Sequence, residues 1–295
     1  MCLYLNDYKI TQYICSQLSI QMAIITLTTD FGVKDPYSAT VKGQIYKELS
    51  DAVIVDISHE IQPFDIAEGA FIVKNSYKNF PDGTIHIIGV DSLITPNKKA
   101  LAALIDDHYF IACDNGILSL INAEISAKEV VEINIPQASQ PGIFSVKDVF
   151  VPVACHLARG GKLSVIGNRV KSFKELSQLR PVVKDEKTII GTVIYIDNYG
   201  NSITNISEKV FNKVGKKRSF AVRFRNHEFT SIFRSYNELV TDFERETEFI
   251  GQGMALFGSS GFLEISIYKS NPNTVGAAST LYGLKKGSEI YVEFD

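Results

Sequence analysis

Apolar runs and mixed helical patterns alternate along the first part of the chain. "AIITLT" (23–28), "AVIVDI" (52–57) and "GTIHIIGVD" (83–91) are short apolar, β-branched runs and predict buried strands. Between them, "DPYSATVKGQIYKEL" (35–49) and "FDIAEGAFIVKNSYKNF" (64–80) predict helices, the second with an aromatic and aliphatic face. "ALAALIDDHYFIACDNGILSLI" (100–121) predicts two strands that turn at Asp106-Asp107, then a helix or strand opening after "CDNG". "DVFVPVACHLARGG" (148–161) predicts a helix stopped by a glycine pair. Strands alternating with helices imply an α/β domain whose mainly parallel sheet is covered on both faces.

After about residue 185 the pattern changes. "TIIGTVIYIDNYGNSITNI" (188–206), "SFAVRFRNHEFTSI" (219–232), "MALFGSSGFLEISIY" (254–268) and "SEIYVEFD" (288–295) are short strands separated by Gly, Asn and Ser, with almost no helical periodicity. They predict a smaller all-β domain, a barrel or sandwich. "RPVVKDEK" (180–187) is the expected linker, giving domains at 22–185 and 186–295. Met22 opens the first strand. Residues 1–21 lack both a basic n-region and a clean apolar core, which makes a poor signal peptide; they are expected to be an extension outside the fold, the alternative being an N-terminal helix docked on the surface.

Composition narrows the class. The chain has 295 residues and a net charge of −3, with lysines and arginines scattered, so no basic stripe points to nucleic acid. Cys2, Cys15, Cys113 and Cys155 have neither metal-like nor paired spacing, which suggests reduced thiols in a cytoplasmic protein. There is no transmembrane run, and His59, His86, His108, His156 and His227 show no metal-ligand spacing. Walker, G-x-G-x-x-G, G-x-S-x-G and H-E-x-x-H motifs are absent. "TLTTDFG" (26–32) shares Asp-Phe-Gly with protein kinases, but it lies at the first strand and no H-R-D segment precedes it.

Acids and polar turns recur where the first-domain strands end: Asp30 after the first, Asp56 and His59 near the second, Asp91 after the third, and "CDNG" after another. In a parallel sheet these ends share one edge, where ligands bind. Each carboxylate alone is ordinarily a cap; the recurrence is what points to a site. In the β domain, "IDNYGNSITN" (196–205) is either a plain turn or a pocket in which an aromatic and an amide recognise a flat heterocycle. "FGSSG" (257–261) reads as a flexible turn or as a loop that wraps a polar ligand with backbone N–H groups.

"TLTTDFGVKDPY…KG", "VDISHEIQPFDIAEGA", "FPDGTIHIIGVD", "CDNG", "DVFVPVACHLA" and "IDNYGNSITNI", in that order, resemble the SAM hydroxide adenosyltransferase family, the S-adenosyl-L-methionine (SAM) hydrolases related to fluorinase and chlorinase. The resemblance runs from about Met22 to Asp295. It implies a homotrimer that binds SAM between one subunit's first domain and its neighbour's second. It also implies hydrolysis of SAM to adenosine and L-methionine by attack of water or hydroxide at the ribose C5′, with no cofactor and no metal. The leaving group is a neutral thioether, so the reaction needs in-line placement and a dry site more than an acid.

By the same resemblance Asp30 takes the ribose diol, and Phe64 lies beside the ribose. Asp35 and Tyr37 lie near the methionine end, Asp197 meets the ammonium, Tyr199 and Asn201 sit on the adenine side, and Ser259 and Ser260 form the methionine-carboxylate loop. The family's water-activating Asp-Arg-His set is altered. Asp91 keeps the aspartate, the arginine position falls on Lys98 (or Lys99 if the register slips by one), and the histidine position falls on Ser145. Lysine keeps the charge without the planar fork, and serine is no base near neutral pH. The alternative to a hydrolase is therefore a protein that binds SAM or adenosine with little turnover.

Overall fold

β1 (Ile24–Thr29) forms where the first apolar run predicts it, and its parallel neighbours are β2 (Val53–Ser58) and β3 (Ile85–Gly89). The computed structural model of the chain describes residues 23–121, 127–136, 144–177 and 180–295, so the expected extension at 1–21 and the start at Met22 lie outside the described residues. α1 (Tyr37–Glu48) follows β1, and α2 (Ile66–Ser76) follows β2. β4 (Ala100–Ile105) and β5 (His108–Cys113) form the predicted hairpin. Its two-residue turn is Asp106 and Asp107 at φ 51° and 63°, left-handed backbone that short hairpins require and that Asp tolerates. α3 (Ile117–Ile121), β6 (Glu129–Ile133), α4 (Val151–Ala158), α5 (Leu163–Ile166) and β7 (Gly167–Arg169) complete the first unit.

The sheet runs in the order β2-β1-β3-β5-β4-β6-β7. The four strands β2, β1, β3 and β5 are mutually parallel, and antiparallel partners extend the β5 side. Both faces are covered, which is why these strands read as continuous apolar runs. On one face Ile25 and Leu27 pack with Val41 and Ile45 of α1 and Val153 of α4. On the other, Ile88 and Phe110 pack with Ala70 and Val73 of α2 and Leu118 of α3. Each such aliphatic side chain contributes about 1.5–3 kcal/mol when fully buried. Because β1, β2 and β3 are parallel, with Thr28 opposite Ser58 and Thr29 opposite Gly89, their carboxyl ends open at one edge.

The chain divides into two compact units between Leu176 and Ser177, earlier than the boundary expected at 185/186. The expected linker 180–187 instead contains β8 (Val182–Lys184), which pairs with β9 (Thr188–Ile196) through a turn with Asp185 and Glu186 at φ 49° and 51°. Asp-Glu carries no glycine signal, so this hairpin is silent in the sequence. β10 (Ser202–Ser207), β11 (Phe220–Phe224), β12 (His227–Phe229), β13 (Gly253–Phe257), β14 (Phe262–Ile267) and β15 (Glu289–Phe294) follow. They form an antiparallel sheet in the order β12-β11-β15-β9-β10-β14-β13. Past β12 the chain reaches the far edge: the Phe233 N–H donates to the Ala255 carbonyl at 2.8 Å and Phe233 bridges to Leu256. The sheet is thereby nearly closed around Ile189, Val193, Val222, Phe224, Ile265 and Val292, a barrel-like arrangement and not an open sandwich. Among the described residues two α-helices punctuate it, α6 (Glu208–Gly215), capped by the Ser207 hydroxyl, and α7 (Ala278–Leu281).

Candidate active site

The edge at the ends of β1 and β3 is organised around Asp30. Its Oδ2 accepts the backbone N–H of Phe64 at 2.9 Å and of Asp91 at 3.2 Å. Both donors hold left-handed backbone, Phe64 at φ 66° and Asp91 at φ 45°. That conformation costs a non-glycine residue about 1–3 kcal/mol and persists where surrounding structure over-determines it, commonly at functional sites. Phe64 is also 73% exposed, so its ring is not held there by core packing. Among the described residues no hydrogen bond reaches Oδ1 of Asp30, which leaves an oxygen for a ligand.

Asp91 carries the second centre. Lys98 Nζ donates to its Oδ1 at 2.6 Å and to its backbone carbonyl at 3.1 Å. Of the two adjacent lysines, Lys98 faces Asp91 and Lys99 is exposed. A small bridge between Thr95 and Lys98 folds the loop back so that this pair can form. Three further groups pin the loop. Asn115 Nδ2 donates to the carbonyls of Val90 at 3.0 Å and Asp91 at 3.4 Å, Cys113 Sγ donates to the Ser92 carbonyl at 3.2 Å, and the buried Ser145 Oγ accepts the Ile94 N–H at 3.2 Å. Ser145 is therefore brought to the Asp91 loop, engaged with its backbone. It precedes a π-helical turn, Val146–Phe150, in which the Val151 N–H bonds back to the Val146 carbonyl. Pro152, which cannot donate, sits just inside α4. Asn115 lies in the "CDNG" turn but had no sequence signal beyond that turn.

Asp35 is exposed at the start of α1. Tyr37 is half exposed, with its ring edge-on to Phe31 and Phe144 at 6.1 and 5.8 Å between centroids. Beneath the β1 end, the buried His59 joins Thr29 to Asp56: Nδ1 is 2.7 Å from Thr29 Oγ1 and Nε2 is 3.1 Å from Asp56 Oδ1. Asp56 also takes Lys42 at 2.5 Å. Burial works against its charge, but the Lys42 hydrogen bond and the His59 ring beside it outweigh that and hold the carboxyl below its ordinary range.

In the second unit the turn between β9 and β10 is wound around Asp197. Its Oδ1 accepts the N–H groups of Tyr199 and Asn201, both at 2.9 Å, and its Oδ2 accepts Asn201 Nδ2 at 2.9 Å. Asn201 is buried, whereas Tyr199 is 63% exposed. Gly200, at φ 76°, admits no side chain: a Cβ there would lie 2.4 Å from that of Ala277. Asn201 Nδ2 also reaches the Tyr236 hydroxyl at 3.3 Å, and that hydroxyl donates to the buried Glu264, whose carboxyl burial pushes up. Tyr236 and Glu264 carried no sequence motif, because a hydrogen bond across 28 residues leaves no local pattern. Ser259 and Ser260 lie on the tight turn between β13 and β14, Ser259 exposed. Among the described residues no three His, Cys, Asp or Glu side chains group as metal ligands, and no helix is long and apolar enough to cross a membrane. Cys113 and Cys155 are free and buried, their thiols pushed by burial up to about 12 and 11, which makes them poor nucleophiles.

Comparison with known proteins places this geometry. The SAM hydroxide adenosyltransferase N-terminal domain matches residues 25–167 and the C-terminal domain matches residues 191–291. A relative from Methanocaldococcus jannaschii named (R)-S-adenosyl-L-methionine hydrolase is 30% identical, across 84% of this chain and 89% of its own. A fluorinase from Nocardia brasiliensis is 25% identical, across 92% and 96%. The crystal structure of an uncharacterized conserved protein from Thermotoga maritima superposes with a TM-score of 0.77 at 29% identity, covering 91% of this chain and 99% of that one. The chain belongs to the SAM hydroxide adenosyltransferase family.

Proposed function

We propose that the chain hydrolyses S-adenosyl-L-methionine to adenosine and L-methionine. The observation that carries this reading is the Asp91–Lys98 pair, whose Asp91 backbone is bonded to Asp30. A water oxygen forms a bond to the ribose C5′, the C5′–S bond breaks, and its electron pair returns to sulfur as the methionine thioether. The water proton leaves through Asp91 or solvent. Lys98 occupies Oδ1, and no hydrogen bond from the described residues reaches Oδ2, the oxygen that orients the water. Ser145 supports the loop through Ile94 and takes no proton.

In this reading Asp30 uses Oδ1 for the ribose diol, since a carboxylate accepts two O–H bonds. Phe64 flanks the ribose, and Asp35 and Tyr37 lie toward the methionine end. From the second unit, Asp197 takes the ammonium with the capacity left on Oδ2, Tyr199 and Asn201 serve the adenine side, and Ser259 and Ser260 serve the carboxylate. The reaction needs no cofactor. A homotrimer in the cytoplasm, with each site completed by a neighbouring subunit, accompanies this reading, and light scattering of the purified protein tests the trimer.

The functional test is incubation with each sulfonium epimer of SAM, since relatives are named for the (R) form. Adenosine and methionine are resolved by liquid chromatography against a no-enzyme control. Adenosine above the control is expected, and Asp91→Asn is expected to lower turnover by about 10²–10⁴-fold while SAM binding persists. Intact SAM retained on the protein favours a binding protein instead, and unchanged turnover in Asp91→Asn removes Asp91 from its role.

A further inference from the structure

We propose that His59 is a positioning residue for Asp30, acting on both flanks of that carboxylate. This inference rests on the assignment of Asp30 to the ribose of the substrate. On the N-terminal flank, His59 Nδ1 meets the Thr29 hydroxyl at 2.7 Å. On the C-terminal flank, the His59 backbone carbonyl accepts the Gly32 N–H at 2.7 Å. One buried residue at the end of β2 therefore grips the chain immediately before and immediately after Asp30.

The Phe31 N–H approaches Thr29 Oγ1 at 3.4 Å, so that oxygen accepts from the backbone. One hydrogen lies between Thr29 Oγ1 and His59 Nδ1, and the ring tautomer decides which of the two donates it. Nε2 comes within 3.1 Å of Asp56 Oδ1 without hydrogen-bond geometry, and Asp56 Oδ2 is held by Lys42 of α1 at 2.5 Å. The far edge of the buried ring thus lies against a carboxylate, which gives His59 a second polar neighbour besides Thr29. Lys42, Asp56, His59 and Thr29 come from separate sequence segments, "KG", "VDISHE" and "TLTTDFG", and none of them is otherwise required by the chemistry. Gly32 sits at φ 68°, left-handed backbone that lets the chain turn back toward His59 directly after Asp30.

The consequence is geometric. A carboxylate binds a diol only when both O–H groups find it in one plane, and a misplacement near 1 Å at such a contact costs up to about 10²-fold. Freed from His59, the Asp30 segment keeps its identity and loses its aim.

The test uses Thr29→Val, which keeps the shape of the buried side chain, together with Thr29→Ser, His59→Ala and His59→Asn. Adenosine affinity is measured by calorimetry, and kcat and KM are measured for SAM. Thr29→Val and His59→Ala are expected to raise the adenosine Kd and the SAM KM by about tenfold or more, and the double variant is expected to be no worse than the poorer single. Thr29→Ser, which retains the hydroxyl, and His59→Asn, which still reaches it, are expected to stay within about threefold of the parent. A merely structural role would lower the melting temperature and leave Kd and KM where they were. Folded Thr29→Val with parental Kd and KM overturns the proposal even if His59→Ala fails to fold. If the parent binds adenosine but does not hydrolyse SAM, the Kd values alone decide it. A parent that does neither overturns the functional reading and this inference with it.

Discussion

The two oxygens of Asp30 do different work, and this can be separated by substitution. Oδ2 satisfies the N–H groups of Phe64 and Asp91, while Oδ1 is left for a ligand. Asparagine can still present one oxygen to both N–H groups, but its second group is a donor and cannot accept from a diol. Asp30→Asn is expected to keep stability within about 1 kcal/mol of the parent and to abolish measurable adenosine binding. Asp30→Ala orphans two N–H groups and releases two left-handed residues, so it is expected to cost about 1–3 kcal/mol as well. Urea midpoints and adenosine titration of the two variants check this; equal stability of Asn and Ala variants would refute the clamp. At Asp91, Lys98→Met removes the ammonium that orients the carboxylate and is expected to lower kcat by about tenfold or more, with Lys98→Arg restoring most of it. Single-turnover rates read this directly, and a Met variant at parental rate excludes the pair from the chemistry.

The backbone elements explain how much of this was legible in the sequence. Period and composition located β1, β3 and the β4–β5 hairpin closely because they bury apolar runs, β2 by its β-branched run at the sheet edge, and α1 by the spacing that buries Val41 and Ile45. α2 begins later than its apolar pattern suggests, at Ile66 and not 64. Asp65 is its N-cap, accepting the Glu68 N–H at 3.0 Å, and Phe64 must stay outside the helix to donate to Asp30. Asp-Ile-Ala-Glu is a recognisable start signal, but the positive φ at Phe64 is imposed from Asp30, 34 residues away. Asp65→Ala is therefore expected to cost about 1 kcal/mol of stability, seen as a lower urea midpoint at unchanged slope. It is also expected to weaken adenosine binding, since the cap fixes the residue next to Phe64. An Ala variant with parental binding would show that Asp30 alone holds that turn. Asp30 and Asp91 stood out because acids recur where the parallel strands end, at one edge of the sheet. His59 was visible there only as a strand-end residue, and Asn115 only as part of a turn, while Glu264 was silent, because their roles lie in partners distant in sequence.

Across the first unit as a whole, stability is linked to pH through a pair of histidines far from any proposed chemistry. His86 is fully buried in β3, with Nδ1 2.7 Å from Thr26 Oγ1 and Nε2 3.1 Å from His108 Nδ1. Its ring stacks on Phe110 at 4.8 Å between centroids. Burial, with the neighbouring His108 adding to it, pushes His86 down to about 3. Burial also lowers His108, against Asp82, Asp106 and Asp107, which favour its charge. The unfolded chain takes up the His86 proton near its ordinary value of 6.5, whereas the folded chain refuses it until about 3. Between those values the unfolded state binds more protons, so stability falls as pH falls; above 6.5 the contribution is fully present. One proton sets a limiting slope of about 1.4 kcal/mol per pH unit. Carboxylates titrate in the same range, so the informative quantity is a difference between proteins. His86→Gln retains polar reach without a titrating ring. Its stability, measured by urea unfolding from about pH 7 down to 4, is expected to fall less steeply than the parent's by about 1 kcal/mol per pH unit below 6. The same slope in both proteins would mean that the folded chain takes up the His86 proton over the same pH range as the unfolded chain. The acid sensitivity of the unit would then have to come from its strand-end carboxylates, which would tie loss of fold to loss of the site.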